Sequence, residues 1–398
     1  MLAGGVLRAG RFLPFTFPVF LRNPAKRGLM DHPPSNPSAS SQFPCSNCGA
    51  NLVFQPGTDH LVCPYCGTDN PIPVSDAPVI ELDFESHVGQ LEQSESTQIV
   101  LTVRCTNCGA ESDFTHDVTA GKCPFCGTGI VAQAASRRQI KPASLLPFVV
   151  TRKQSEDLFK RWLHSLWFAP NDLKKLAERE SGIQGVYIPA WTYDSHTRSD
   201  YVGERGDDYW TTESYTSYEN GKPVRRTRQV RRTRWRRASG HVRVNFDDVL
   251  VLASQSLPAA HAQALEPWDL KNVVPYQDHY LSGFIAESYQ VNLEQGFGIA
   301  KQIMAGDIEL TIRRDIGGDH QRIQDVRTGY FDVTFKHTLL PLWISAYRYR
   351  ARAWRFLVNA RTGEVQGERP YSWIKITLAV LLALIVLLIV GVLMQGAR

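Results

Sequence analysis

The sequence predicts two small zinc ribbons, an α+β globular body and one C-terminal transmembrane helix. Three observations predict it: a pair of Cys-x-x-Cys motifs that occurs twice, an uncharged run at residues 376–394, and a stretch at 141–370 in which helical and strand periodicities fall in separate groups.

Residues 1–42 read as a leader. Its first thirty residues carry five basic side chains and no acidic one, with an apolar patch interrupted by Pro14 and Pro18. Those prolines, and the lack of a small-x-small cleavage site, fit neither a signal peptide nor a transit segment. Translation is expected to begin at Met30, and the Pro- and Ser-rich DHPPSNPSASSQFP that follows is expected to lack structure.

The ribbons come next, at 43–72 and 101–133. The cysteine pairs of CSNCG and CPYCG are separated by fourteen residues, those of CTNCG and CPFCG likewise, and the copies are offset by sixty. Each Cys-x-x-Cys loop turns back on itself and a hairpin brings the two pairs together, so four thiolates can meet one tetrahedral ion. Cys45, Cys48, Cys63 and Cys66 are expected on one zinc ion, and Cys105, Cys108, Cys123 and Cys126 on a second. Gly49, Gly67, Gly109 and Gly127 follow the second cysteine of each pair, where positive φ is often needed. A disulfide framework, rubredoxin-like iron and a cross-braced pairing are the alternatives. The last would have to span the thirty-eight residues between the second and third pairs. Four protein ligands per ion leave no open position, which points to structural and not catalytic metal.

Between the ribbons, the acidic connector 73–100 suggests a short strand at Leu82 and Phe84 and then a polar loop. From Gly28 to Val103 there is no lysine or arginine, against nine acidic residues. That charge suits a protein partner or a cap on the body, and opposes nucleic-acid binding by the ribbons, which would need cations against phosphate. The basic charge lies at Arg225, Arg226, Arg228, Arg231, Arg232, Arg234, Arg236 and Arg237. Asn220-Gly221 before it reads as a tight turn, so Tyr215–Glu219 and this run form a hairpin. As an extended strip it could bind phosphates, anionic lipid or an acidic partner. It could equally be a solvated edge whose charges prevent edge-to-edge pairing.

Within the body, Ser155–Phe168 is an amphipathic helix with Leu158, Phe159, Trp162, Leu163 and Leu166 on one face, and helical character resumes in NDLKKLAERE. GVYIPAWTYDSHTRSDYVGERGDDYW and FDDVLVLAS read as strands, with Tyr187, Trp191, Tyr193 and Tyr201 as core aromatics. A helix with Ala300, Ile303 and Met304 is expected at 287–312, then two or three strands with an ARTG turn.

Residues 376–394 hold nineteen uncharged positions, about enough to cross a hydrocarbon core of roughly 30 Å. Tyr371 and Trp373 stand where interfacial aromatics settle. Arg361, Arg369 and Lys375 precede the span and Arg398 follows it, so the positive-inside rule puts the bulk of the chain in the cytoplasm and the C-terminus outside. The expectation is a single-pass, tail-anchored protein of the cell membrane, whose reducing cytoplasmic side favours metal over disulfides.

No phosphate-loop, HExxH or G-x-S-x-G motif is present. Asp315, Asp319 and His320 in DIGGDHQR are the one candidate for a hydrolytic or metal-dependent site, against the plainer reading of a polar glycine turn.

Taken together, the C-x-x-C-G ribbons, RQIKPASLLPF, WFAPNDL, GVYIPAWTYD, YVGERGDDY, DIGGDHQRI, FKHTLLPLW and NARTGEVQGERPYS resemble a bacterial family of poorly characterised zinc-ribbon membrane proteins. Its members are often labelled primosomal protein N-prime-like or superfamily II helicase, or compared with TFIIB-type ribbons. The resemblance covers residue 43 onward and implies a cytoplasmic-membrane protein with two metal ribbons. It brings no catalytic residues, and a chain without a phosphate loop has no helicase motor. The function expected is non-catalytic: a membrane-associated adaptor that docks an unknown protein. A nucleic-acid-binding replication or transcription accessory is the alternative.

Overall fold

The computed structural model describes residues 43–75, 77–88, 97–113, 120–131, 134–170, 172–173, 182–219, 221–349 and 352–396. The leader and most of NDLKKLAERE lie outside the described residues.

In chain order, β1 (Val53–Phe54), β2 (His60–Val62) and β3 (Asp69–Pro71) form a small antiparallel sheet. After β4 (Leu82–Asp83), a helical turn at Phe84–His87 is capped by Asp83, whose side chain accepts from Ser86 N. β5 (Thr97–Arg104), β6 (Glu111–Asp113), β7 (Ala120–Lys122), β8 (Gly129–Val131), β9 (Ala134–Ile140) and β10 (Ser144–Leu145) follow. The rest comprises α1 (Arg152–Ser165), β11 (Gln184–Glu219), β12 (Lys222–Leu252), β13 (Val274–Pro275), β14 (Ile285–Glu287), α2 (Leu293–Ile316), β15 (His320–Tyr349), β16 (Arg352–Asn359), β17 (Val365–Gly367) and α3 (Trp373–Gly396).

The chain is mostly β. Among the described residues, twelve strands share one sheet, in which β11 pairs with β12 on one side and β15 on the other. The expected separate strands are thus segments of three very long ones, and FDDVLVLAS continues the arginine run in β12. Register shifts at Tyr193/Ser195 and Val202/Gly203 let β11 bend without ending. Pairing with β15 stops at Gly206↔His320, while pairing with β12 runs on to Glu219↔Lys222. Residues 207–219 and 222–234 therefore leave the sheet as a two-stranded ribbon, about 44 Å long at roughly 3.4 Å per residue.

Gly203 allows this close pairing. A Cβ there would sit 2.3 Å from the Arg322 carbonyl oxygen, a backbone atom that cannot swing aside. Gly203→Ala is expected to cost about 2 kcal/mol, read as a lower melting temperature at unchanged metal content.

Helix α1 buries Phe159 and Leu163, as the sequence predicts, but it starts three residues earlier than expected, at a capping box of Thr151 and Gln154, and stops at Ser165, short of Phe168. Helix α2 starts at Leu293, later than expected: residue 287 belongs to β14, and Asn292 with Gln295 makes the capping box that begins the helix. Phe297, Ala300, Met304, Ile308, Ile312 and Ile316 bury one face, whereas Ile303 is 47% exposed. Buried β11 side chains grip the start of α2: Trp191 Nε1 donates to Val291 O at 2.9 Å and Tyr193 Oη to Leu293 O at 2.7 Å.

Helix α3 is long and apolar enough to cross a membrane, with mean hydropathy 2.9 over Trp373–Gly391 and none of that window buried against the rest of the chain.

Candidate metal centres

Each cysteine pair forms a knuckle with the same backbone bonding. In the first, Gly49 N donates to Cys45 O and Cys45 N to Ala50 O, at 2.9 and 2.8 Å. Cys63–Thr68, Cys105–Ala110 and Cys123–Thr128 repeat the pattern. The glycine after each second cysteine has φ between +69° and +77°, a region costly for residues with a Cβ.

These knuckles bring the thiols together in fours. Sγ separations are 3.6 Å for Cys45–Cys66 and 3.5 Å for Cys48–Cys63, then 3.7 Å for Cys105–Cys126 and 3.6 Å for Cys108–Cys123. In both clusters all four sulfurs lie within 4.8 Å of one another. Zinc–sulfur bonds of about 2.3 Å in a tetrahedron place sulfurs about 3.8 Å apart, while a disulfide needs about 2.05 Å. The donor sets therefore fit one tetrahedral ion each, and the pairs are not cross-braced.

The thiols also differ in proton affinity. Thr68, through its hydroxyl and its amide, draws Cys66 down to about 6. Cys123 does the same for Cys108, to about 5, while Cys123 is itself pushed up by Cys108 and by burial. Sulfurs this close cannot all ionise without a cation between them, which a divalent ion would supply.

The clusters are seated differently. Cys45 and Cys63 are buried but Cys48 and Cys66 are exposed. Around them, Phe54 N donates to Ser282 O and Gly57 N to Phe148 O, fastening the small sheet to the body. The second cluster has no exposed cysteine, and its flanking strands β5, β6 and β9 belong to the body's own sheet. Arg355 Nε donates to Phe125 O at 2.8 Å between its last two ligands. The second ribbon is thus part of the body and not a module beside it.

The arginine strip lies on the projecting ribbon. Arg226 pairs with Glu219, Arg228 and Arg232 with Glu213, Arg236 with Asp207, and Arg231 with Asp208. Arg225 donates to Ser214 Oγ and Arg234 lies over the Tyr209 ring. Residues 207–234 hold seven cations against four carboxylates, so the opposing strand offsets more than half of the charge. Arg237 sits opposite Glu204, below the ribbon.

Asp315, Asp319 and His320 do not converge. Asp315 Oδ2 accepts from Tyr201 Oη, Asp319 Oδ2 accepts from Asp208 N at 2.7 Å, and His320 Nε2 lies 3.2 Å from Asp208 Oδ2. Gly317 and Gly318, both at positive φ, end α2 between them. The tract works as a helix stop.

The sequence reading missed a charged cluster under the connector. Lys336, on β15, reaches Asp248 at 2.7 Å and Glu81 at 2.9 Å, while Thr334 Oγ1 lies 3.1 Å from carboxylate oxygens of Glu81 and Asp194. Asp248 sits at φ 54° and Asp194 beside the β11 bulge, the two local irregularities that turn these side chains together. Burial raises the Asp194 carboxyl to about 6. With its folded value above its unfolded one, the folded state binds more protons between those values, and this stabilisation is lost as pH rises through about 6. Stability from this group should fall by about 1 kcal/mol between pH 5 and 7, after discounting for solvent. Asp194→Asn should flatten that slope in melts across the range.

No family model matches the chain, and no solved structure matches it. It is similar, at 26% identity over 331 residues, to a Bacillus subtilis (strain 168) protein described as "Uncharacterized protein YdjG", with 83% of this chain and 90% of that protein covered.

Proposed function

We propose that the protein is a zinc-ribbon adaptor, held at the cytoplasmic face of a bacterial membrane by α3, that docks another protein. The observation that carries this reading is the closed donor set: each cluster brings four cysteine sulfurs within reach of one ion, which would leave no position for water or substrate. Such an ion holds shape and does no chemistry. The first cluster supports the docking role: Tyr65, between two of its cysteines, is 83% exposed, and Val74 and Ile80 in the connector that follows are 89% and 64% exposed.

The test uses the full chain extracted from membranes. Elemental analysis should find about two zinc ions per chain, and iron in their place would remove the zinc assignment. A benzophenone amino acid at Tyr65 should yield one discrete protein adduct in cells, lost when Cys48 and Cys66 are replaced by serine. No adduct at Tyr65 would end the adaptor reading.

The nucleic-acid alternative draws support from shape, since a two-stranded ribbon can enter a major groove. Its internal ion pairs oppose it. Duplex binding that falls steeply with salt and is lost in Arg225→Ala/Arg234→Ala would favour it over the adaptor.

A further inference from the structure

The motif WFAPNDL takes no part in the cysteine clusters or in the ribbon. It begins in the turn after α1, where Leu166 and Ala169 are buried while Trp167 is 80% and Phe168 40% exposed. Two large aromatics held out of a core that buries their neighbours mark a contact surface. The turn is fastened to the foot of α3. Ser372 N donates to Phe168 O at 2.7 Å, and Lys375 Nζ donates to Trp167 O at 3.2 Å and to Ala169 O at 2.8 Å. On the helix side of this junction, Tyr371, Trp373 and Ile374 are exposed as well. Beside it opens a groove lined by Trp162, Arg352, Trp354, Arg369 and Tyr371.

We propose that the turn at residues 166–169 is a second membrane contact, with Trp167 and Phe168 set into the headgroup layer of the leaflet that α3 enters. The proposal rests on reading α3 as a membrane span. Lys375 precedes the uncharged run, and its ammonium belongs at the edge of the hydrocarbon. Its bonds to the carbonyls of Trp167 and Ala169 hold the turn at that same depth. The interfacial layer is about 5–7 Å thick on each side, and amphipathic rings concentrate there. Arg352 and Arg369 stand beside it, where phosphates lie. Two contacts fix the tilt of the body on the bilayer, which a single helix would leave free.

The test places a benzophenone amino acid at Trp167, at Leu384 within α3, or at Tyr218 near the ribbon tip. Each full-length protein is reconstituted into phospholipid vesicles, irradiated, and read for covalent lipid by mass spectrometry. Lipid adduct at Trp167 is expected within about threefold of Leu384 and about tenfold above Tyr218. If Leu384 labels lipid but Trp167 stays at the Tyr218 level, the second contact is overturned and the span stands. If Leu384 does not label lipid, the span fails and takes the second contact with it.

Discussion

Replacing Cys123 by serine, or stripping metal with a strong chelator, is expected to unfold the body and not the second cluster alone. Cys105, Cys123 and Cys126 share one buried apolar cluster with Phe125 of their own knuckle and with Val186, Ile188, Leu340 and Leu342, the last four on β11 and β15 at the centre of the sheet. Four thiols without an ion would leave ionised or strongly perturbed sulfur in that core. Structural zinc supplies about 10 kcal/mol or more of apparent binding free energy, comparable to the whole stability of a domain. The matching change in the first cluster, Cys48→Ser, should be milder, because Cys48 and Cys66 face solvent and β1–β3 form a separate sheet. Circular dichroism and proteolysis of the two variants, with zinc content measured in parallel, check the contrast. Equal loss in both would mean that the second cluster is no more deeply integrated than the first.

Lys336→Met is expected to cost about 2 kcal/mol, less than the full scale for a buried ion pair because the Lys336 side chain is 10% exposed but those of Asp248 and Glu81 are 31% and 42% exposed. Burial works against the charge of Lys336, yet Asp248 and Glu81 overcome it and raise its proton affinity. Removing the ammonium leaves Asp248, Glu81 and Asp194 facing one another with only Thr334 and backbone donors between them. Asp248→Asn in the same chain should recover about half of the loss, since it removes one of the stranded charges. Thermal melts of the single and double variants measure this. Because Glu81 belongs to the connector, faster proteolysis near residue 81 should accompany the loss.

How much of this was legible depends on the range of each interaction. The cysteine spacing, the face of α1, the turn at Gly221 and the apolar run of α3 are local patterns, and each was readable before the fold was known. The tertiary partners were not. Nothing in ELDFES announces that Leu82–Asp83 pairs with β15 at Thr334–Phe335, because the complementary residues lie some 250 positions away. The arginines looked like an open strip because the hairpin was expected to reach back only to Tyr215, which leaves Glu213 and Asp207 out of view. Glu213, Glu219 and Asp207 neutralise them from across the hairpin, and that register is visible only once β11 is known to be unbroken. The expected helix with Ala300, Ile303 and Met304 is there, but its buried face advances by steps of four through Ala300, Met304 and Ile308, which turns Ile303 outward.

The continuity of β11 has a mechanical consequence. One covalent strand begins beneath the grip on α2, runs bonded on both flanks as far as Gly206, and emerges as half of the ribbon. A pull at the tip is therefore carried as tension straight into the middle of the protein, with no flexible joint along the way to absorb it.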